Sequence, residues 1–265
     1  AGMYAVPQIL TNSAADFLRI EKDLGAFGYR ELNINLGCPS GTVVSKGRGA
    51  GFLASPEKLD QFLEEIFSKT EAKISLKTRI GMEEPEEFSR LLKIYNKYPL
   101  EELIVHPRVQ KELYRGTPHY ETFRYAMEHS KNPLCYNGDL VSVESYVNLL
   151  ADWEKEQAHD RAKVTSVMVG RGVLKDPALI EKLAAYASGK AYEADEEKKL
   201  PAFHDRLVAD YGKEFSGDQN VLFKMKELWS YLIVRFPGKE KEAKAIRKAK
   251  RLEEYQAAVR RVFSE

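Results

Sequence analysis

The chain has few cysteines, no long apolar run and no excess of either charge. Its 265 residues include only Cys38 and Cys135, so a disulfide framework does not stabilise it. No run of about 18 apolar residues and no signal-peptide pattern is present. The 41 basic and 40 acidic residues nearly cancel, so the total charge indicates no partner. These absences predict a protein of the reducing cytoplasm, with no membrane partner and no obligate protein partner.

What is present is an alternation of short apolar runs with segments of helical spacing. Signals for helix starts follow the runs, such as Ser13 before "AADFLRIEKDL" and Pro85 before "EEFSRLLKIY". Six βα units in series predict a parallel sheet with helices outside it. The predicted strands are 4–9, 31–35, 73–78, 103–105, 133–136 and 166–169.

A polar residue lies at or just beyond the C-terminal end of each predicted strand, and this distinguishes between two architectures. In a closed barrel all strand ends converge on one mouth, whereas an open doubly wound sheet uses only a switch point. The polar positions at the strand ends are Gln8, Asn35 with Cys38, Lys77, His106, Asn137 and Arg171. They predict a TIM-type (β/α)₈ barrel, represented here by its strands three to eight. Because the chain starts with "AGMYAVPQIL" and no initiator methionine, we expect two earlier βα units to be missing.

The predicted domains are a barrel over residues 1–187, a linker over 188–200 and a helical domain of about three helices over 201–265. Residues 239–262 carry nine basic and four acidic side chains, which makes the remainder of the chain mildly acidic. A basic helical region suits the binding of a polyanion such as RNA. A solvated surface helix would account for the same residues.

Three motifs carry candidate site residues. "YNGDL" and "VMVGRGVLKDP" place Gly138, Gly170 and Arg171 after the last two strands, where such barrels often bind phosphate, although ordinary turns also need glycine. Lys77 lies in a buried strand and needs a partner there, unless it reaches solvent at the strand end. "SKGRGAGFL" reads as a loop near the mouth whose Lys46 and Arg48 would meet phosphate or water.

The stretch "NINLGCPSGTVVSKGRGAGFL" resembles the N-x-GCP segment of the tRNA-dihydrouridine synthases. "SLKTRIG", "IVHPR", "YNGDL" and "MVGRGVLKDP" then follow in that family's order and at about its spacing, over residues 4–185. The resemblance implies an FMN-dependent barrel with a C-terminal tRNA-binding domain. FMN, reduced by NADPH or NADH, would deliver hydride to C6 of a uridine in tRNA while a cysteine protonates C5. Family members begin with a strand bearing a Pro-Met-type segment, which this sequence lacks, so we expect a longer parent protein.

Carried over by position, the resemblance makes Cys38 the general acid, and a thiol with its ordinary pKa near 8.5 has a proton to give at neutral pH. It implies no metal. The residues that it places against FMN are Gln8, Lys77, His106, Asn137, Gly138, Gly170 and Arg171, and those near the substrate are Asn35, Lys46 and Arg48.

Two other functions stay open on the sequence alone. One is an FMN barrel oxidoreductase that acts on a small dihydropyrimidine-like metabolite, for which the basic tail would have no use. The other is an inactive RNA-binding descendant of such an enzyme, for which the missing strands would be no obstacle. Binding of tRNA would distinguish a tRNA-modifying enzyme from the metabolite oxidoreductase, and binding of flavin would argue against the inactive descendant.

Overall fold

The computed structural model describes residues 4–264, and a parallel sheet of six strands organises their first part. Each strand pairs with the next one along the chain, without a reversal of order. This order excludes the doubly wound sheet and agrees with the predicted barrel. Within residues 4–264 the first and last strands do not pair, so the barrel is not closed. The strands are β1 (Gln8–Ile9), β2 (Glu31–Leu36), β3 (Lys73–Arg79), β4 (Leu103–His106), β5 (Leu134–Tyr136) and β6 (Val164–Val167).

The four middle strands match their predicted positions to within a residue, and the outer two differ. β1 is shorter than predicted and begins after Pro7, which has no N–H to donate to the ladder. β6 begins at Val164, two residues earlier than predicted.

The sheet has one apolar face and one polar face, because successive side chains of a strand alternate. On β2 and β3 the apolar side chains alternate with Asn33, Asn35, Ser75, Lys77 and Arg79. The strand register aligns Asn35 with Lys77, and Arg79 with His106. This side of the sheet, the polar face, therefore carries Gln8, Asn35, Lys77 and His106, four of the residues that the sequence singled out.

Helices follow the strands at the predicted signals. The Ser13 hydroxyl accepts a hydrogen bond from the Asp16 N–H at 3.2 Å, and Pro56 is the first residue of its helix. Successive helices pack on one another outside the sheet. The helices up to β6 are α1 (Ala14–Ala26), α2 (Gly41–Val44), α3 (Pro56–Phe67), α4 (Phe88–Tyr95), α5 (Tyr120–His129), α6 (Val143–Trp153) and α7 (Ala158–Arg161), with 3₁₀ turns at Gly49–Ala54, Pro85–Glu87 and Gln110–Glu112.

The segment predicted to be a loop, 45–53, is largely structured. α2 runs into its start, and its second half is a 3₁₀ helix in which every residue from Gly49 to Leu53 is buried. Glycine and alanine allow the backbone of this turn to pack closely where larger side chains would not fit. The glycines that suggested a loop thus serve close packing instead.

The chain forms two compact units. One comprises the residues up to Gly138 together with Ala151–Met168, and the other comprises Asp139–Leu150 and the residues from Val169 on. The second unit thus includes helices α8 (Arg171–Lys175) and α9 (Leu179–Ala187), which the sequence assigned to the barrel. The predicted linker, 188–200, ends within a helix, because Asp195 caps an N-terminus by accepting from the Lys198 N–H at 3.3 Å.

The second unit contains four further helices rather than about three. The last basic segment divides at 249–251, and Glu254 in the first turn of the new helix accepts from the Lys250 N–H at 3.0 Å. The core of these helices includes Met225, Trp229 and Tyr255. No helix within residues 4–264 is long and apolar enough to cross a membrane. The four are α10 (Glu196–Glu214), α11 (Asp218–Leu232), α12 (Glu240–Lys248) and α13 (Leu252–Phe263), with a 3₁₀ turn at Ile233–Arg235.

Candidate functional site

Cys38 lies in a turn that follows β2 directly, and the Asn35 side chain forms this turn. Asn35 Oδ1 accepts from the N–H of Gly37 at 3.0 Å and from the N–H of Cys38 at 2.9 Å. Asparagine is suited to this task because its short side chain reaches the backbone two or three residues on. Cys38 itself is half-buried and its thiol is free of any disulfide.

The 3₁₀ helix Gly49–Ala54 holds the other side of the Cys38 backbone. Ala50 N–H donates to the Cys38 carbonyl at 3.0 Å. Gly49 has φ +55°, and a Cβ there would lie 2.8 Å from the Cys38 carbonyl oxygen and 2.9 Å from its Cβ. Both polar backbone groups of Cys38 are therefore bonded, and its backbone is held from two directions.

A fully buried arginine, Arg79 at the end of β3, also binds the backbone of this turn. Its Nε donates to the Gly37 carbonyl at 3.0 Å, and its Nη1 donates to the Val109 carbonyl at 2.9 Å. Burial lowers the pKa of this guanidinium, which nevertheless stays charged because an arginine pKa is so high. The Gln110 amide adds a hydrogen bond to the Pro39 carbonyl at 3.2 Å.

A chain of side-chain hydrogen bonds crosses the polar face from Asn35 to Ser75. Asn35 Nδ2 donates to Gln8 Oε1 at 2.8 Å, and Gln8 Nε2 donates to Asn33 Oδ1 at 2.8 Å. Asn33 Nδ2 in turn donates to the Ser75 hydroxyl at 2.9 Å. Most hydrogen-bonding groups of the Gln8 and Asn35 side chains are thus bound to each other, to Asn33 and to the Cys38 turn.

Lys77 lies beside Asn35 in the strand register, on the polar face. It makes no hydrogen bond or ion pair with any of residues 4–264. Burial, and next the charge of Arg79, lower the pKa of Lys77 to about 8. The thiols of Cys135 and Cys38 act in the opposite direction, so they lie near enough to interact with it. A partly buried cation without a partner is costly unless an anion joins it.

His106 ends β4 and is buried, with 7% of its surface exposed. Its Nε2 lies 3.2 Å from Nη1 of the fully buried Arg108. Because a guanidinium only donates, Nε2 must accept, and the neutral ring carries its proton on Nδ1. The tautomer of His106 is thereby set by the arginine.

The candidate phosphate residues divide between the two compact units. In the first unit, Asn137 Nδ2 donates to the Met168 carbonyl at 2.9 Å. A Cβ at Gly138 would lie 2.4 Å from the Tyr136 hydroxyl oxygen, so close packing alone requires glycine there. These contacts account for both residues without a ligand, and a role in phosphate binding stays a prediction.

In the second unit, Gly170 precedes α8 and Arg171 is its first residue. A Cβ at Gly170 would meet no atom within 4 Å, so packing does not require this glycine. Arg171 Nη2 lies 3.1 Å from Asp139 Oδ1, an ion pair that a phosphate would have to displace or share.

Lys46 and Arg48 lie on a segment attached to Asn12, three residues after the end of β1. Asn12 Nδ2 donates to the Lys46 and Gly47 carbonyls at 3.1 and 3.2 Å, and Arg48 Nε donates to Asn12 Oδ1 at 3.4 Å. The Lys46 side chain is exposed and Arg48 is half-buried. Contact of either residue with a substrate stays a prediction.

The last two helices of the second unit carry an exposed basic face. None of its seven side chains forms an ion pair within residues 4–264, although acidic residues are close in sequence. Lys241, Lys244 and Lys248 share one side of α12, since they are spaced by three and four positions. The members of the basic face are Lys241, Lys244, Arg247, Lys248, Lys250, Arg260 and Arg261.

Sequence reasoning missed the buried arginines Arg79 and Arg108, although both lie in the motifs "SLKTRIG" and "IVHPR". The signal that singled out Lys77, a cation in a buried strand, applied equally to Arg79. Within residues 4–264 no group of three or more His, Cys, Asp or Glu side chains is arranged to hold a metal ion.

Comparison with known proteins identifies the family of the chain. The sequence model of the family described as "Dihydrouridine synthase (Dus)" matches residues 4–263. A "Probable tRNA-dihydrouridine synthase" of Staphylococcus aureus is 26% identical over 186 residues, which are 67% of this chain and 52% of the relative. A "Probable tRNA-dihydrouridine synthase" of Rhodobacter capsulatus is 24% identical over 217 residues, which are 82% of this chain and 60% of the relative.

A "Probable tRNA-dihydrouridine synthase 1" of Synechocystis is 23% identical over 222 residues, 80% of this chain and 58% of the relative. The chain thus spans between about half and three fifths of the curated relatives it matches. Because the family match extends over nearly the whole sequence, with Cys38 held in the turn after β2, the chain belongs to the dihydrouridine synthase family.

Proposed function

We propose that this chain carries out, as part or all of an enzyme, the reduction of uridines in tRNA to 5,6-dihydrouridine, with Cys38 as the general acid. The observation that carries the proposal is the Cys38 turn, in which both polar backbone groups of the cysteine are bonded beside the unpartnered Lys77. A cysteine whose backbone is held in this way suits the transfer of a proton to a carbon at a defined position.

Cys38 would give its thiol proton to C5 of the uracil ring as C6 is reduced. Asn35 and Arg79 would act on the reaction through the turn, because they bind the N–H of Cys38 and the Gly37 carbonyl. Asn35 keeps one amide hydrogen of Nδ2 beyond its bond to Gln8, and this hydrogen would donate to a uracil carbonyl.

The polar face fits FMN in one respect that the structure itself provides, which is the partly buried Lys77 ammonium in need of an anion. When bound, FMN would supply the hydride for C6, after its own reduction by NADPH or NADH. Lys77 would stabilise negative charge at the flavin, and Gln8 and His106 would bind its ring system or side chain. Asn137, Gly138, Gly170 and Arg171 remain the candidates for its phosphate.

The tRNA would be held by electrostatic attraction to the basic face. Seven exposed cations without ion pairs suit contact with phosphates, since each contact releases counterions. Lys46 and Arg48 would add contacts near the target nucleotide, whose base must leave its stack to reach Cys38. A cytoplasmic location agrees with a tRNA substrate, and no obligate protein partner is proposed.

A substrate comparison tests the proposal. The chain, FMN and NADPH would be incubated with tRNA that lacks dihydrouridine, and separately with uracil and dihydrouracil, and the products measured by mass spectrometry. We expect dihydrouridine in tRNA and no turnover of the free bases. Turnover of the free bases alone would favour the metabolite oxidoreductase. Binding of tRNA without flavin binding or product would favour the inactive RNA-binding descendant.

A further inference from the structure

An exposed tyrosine stands at the edge of the polar face, and the proposed chemistry gives it no role. Tyr114 lies in the connection between β4 and α5, and 51% of its surface is exposed. Large aromatic side chains are usually buried in the core. An exposed aromatic ring beside a candidate site therefore indicates a binding surface more strongly than an isolated apolar residue elsewhere on the surface does.

The backbone around Tyr114 is held by two fully buried arginines. On one side, Arg79 Nη2 donates to the Leu113 carbonyl at 2.6 Å. On the other, Arg108 Nε donates to the Arg115 carbonyl at 3.1 Å and its Nη2 donates to the Gly116 carbonyl at 2.6 Å. Leu113 has φ +55°, a conformation that non-glycine residues rarely adopt. The connection is thus fixed in a specific shape on both sides of the tyrosine.

The ring itself rests on residues at the ends of β3 and β4. Arg79 Cζ lies 5.3 Å from the centroid of the Tyr114 ring, a cation–π contact. The His106 ring lies 6.1 Å away, with an angle of 27° between the two ring planes. Both supports lie on the polar face, which also carries Lys77, so the Tyr114 ring lies against the end of this face where β3 and β4 finish.

We propose that Tyr114 is a stacking surface for an unpaired nucleobase of the RNA substrate, and this inference rests on the proposed function. Stacking on an aromatic ring tolerates any base, and removal of such a ring typically weakens binding of single-stranded nucleic acid about 5- to 100-fold. The backbone of Tyr114 is already held, and its ring already contacts Arg79 and His106. The ring therefore loses little conformational entropy when a base stacks on it. An RNA whose target base leaves its stack offers neighbouring bases for this contact.

The test compares variants in binding to an unmodified tRNA transcript, measured by fluorescence anisotropy over a series of salt concentrations. Tyr114→Ala is expected to weaken binding about 5- to 100-fold with an unchanged salt dependence, because stacking releases no phosphate counterions. Tyr114→Phe keeps the ring and should bind within about twofold of the unsubstituted chain. Lys244→Ala, on the basic face, should instead reduce the salt dependence.

Phe27→Ala is the matched control, since Phe27 is 81% exposed but follows α1, at the opposite end of the strands. It should leave tRNA binding unchanged. Titration with FMN by flavin fluorescence gives an independent measurement, and we expect the FMN affinity of Tyr114→Ala to equal that of the unsubstituted chain.

The inference is overturned if Tyr114→Ala binds tRNA as tightly as the unsubstituted chain, or if it loses FMN affinity in place of tRNA affinity. Failure of the unsubstituted chain to bind tRNA would overturn the proposed function itself, and with it this inference. Thermal unfolding of each variant shows whether a loss of tRNA binding reflects a loss of folding. Weaker tRNA binding by Tyr114→Ala, with unchanged binding by an equally stable Tyr114→Phe, supports stacking.

Discussion

Replacing Lys77 with methionine should stabilise the chain without flavin while weakening its binding of FMN. The side chains are similar in length, and methionine adapts its shape to its surroundings. Burial lowers the pKa of Lys77 from 10.5 to about 8, which corresponds to about 3 kcal/mol of unfavourable free energy when the lysine is charged. Part of the side chain reaches solvent, so we expect a gain of about 1–2 kcal/mol at pH 7.

The sign follows from linkage. The pKa of Lys77 is about 8 in the folded chain and near 10.5 in the unfolded chain. Below about pH 8 the lysine is charged in both states, so the folded chain bears the full free-energy cost of burying the charge. Above pH 10.5 it is neutral in both states and this cost disappears. The gain from Lys77→Met should therefore be largest at neutral pH and shrink as the pH rises through 8 to 10.5. For FMN, the loss of a charge-assisted contact of about 1.5–3 kcal/mol predicts binding about tenfold weaker or more.

Urea unfolding of the flavin-free chain at pH 7 and at pH 10 measures the gain, with Lys93→Met as the control. Lys93 is an exposed lysine of α4, and its replacement should change the free energy of unfolding by less than about 0.5 kcal/mol. If Lys77→Met were less stable than the unsubstituted chain at pH 7, or if its gain did not depend on pH, the argument from burial would be refuted.

Three further predictions concern the Cys38 turn and the second unit. Asn35→Ala should lower the free energy of unfolding by about 1–2 kcal/mol and reduce activity, because two partly buried N–H groups lose their acceptor. Asn35→Asp keeps Oδ1 and should restore most of the stability in urea unfolding. Gly49→Ala should destabilise more than Gly28→Ala in thermal unfolding; both glycines have positive φ, but only at Gly49 would a Cβ meet Cys38. Burial lowers the pKa of His204 below its ordinary 6.5, so the unfolded chain binds a proton at this residue more readily than the folded chain does. Stability should therefore fall as the pH drops below about 6.5. His204→Gln should remove this acid sensitivity in unfolding curves at about pH 7.5 and 5.5. Equal acid sensitivity in both proteins would exclude His204 as its source.

Much of the fold follows from local patterns. The alternation of apolar and polar residues in β2 and β3 predicts both the strands and the existence of a polar face. Polar residues at the strand ends distinguish the barrel from a doubly wound sheet, since they predict that every strand end takes part in one site. The sequential strand order confirms this choice.

The errors arise where distant contacts decide the structure. No Gly or Pro lies near Ala249, and α12 is nevertheless divided from α13 at a point where Glu254 accepts from the Lys250 N–H, a contact that a periodic pattern does not reveal. The glycines of 45–53 indicated a loop, yet they allow close packing against Cys38.

The site residues could be named from the motifs, but their contacts could not. Asn35 was expected to contact the substrate, and the structure uses most of its amide to form the Cys38 turn and to bind Gln8. The buried Arg79 was overlooked because its partners are backbone carbonyls at Gly37, Val109 and Leu113, far from it in sequence. Backbone partners leave no trace in the identity of the residues that supply them.

The most direct test of the account compares the two cysteines in a single turnover. Each variant would be mixed with reduced FMN and tRNA that lacks dihydrouridine, and the rate of dihydrouridine formation measured by mass spectrometry. Cys135 is 2% exposed in β5 and has no proposed role in proton transfer, so Cys135→Ala should keep most of the activity. Cys38→Ala should slow the reaction about 10²- to 10⁴-fold, the usual contribution of a general acid. Formation of dihydrouridine by Cys38→Ala at the rate of the unsubstituted chain would contradict the assignment of Cys38 as the acid.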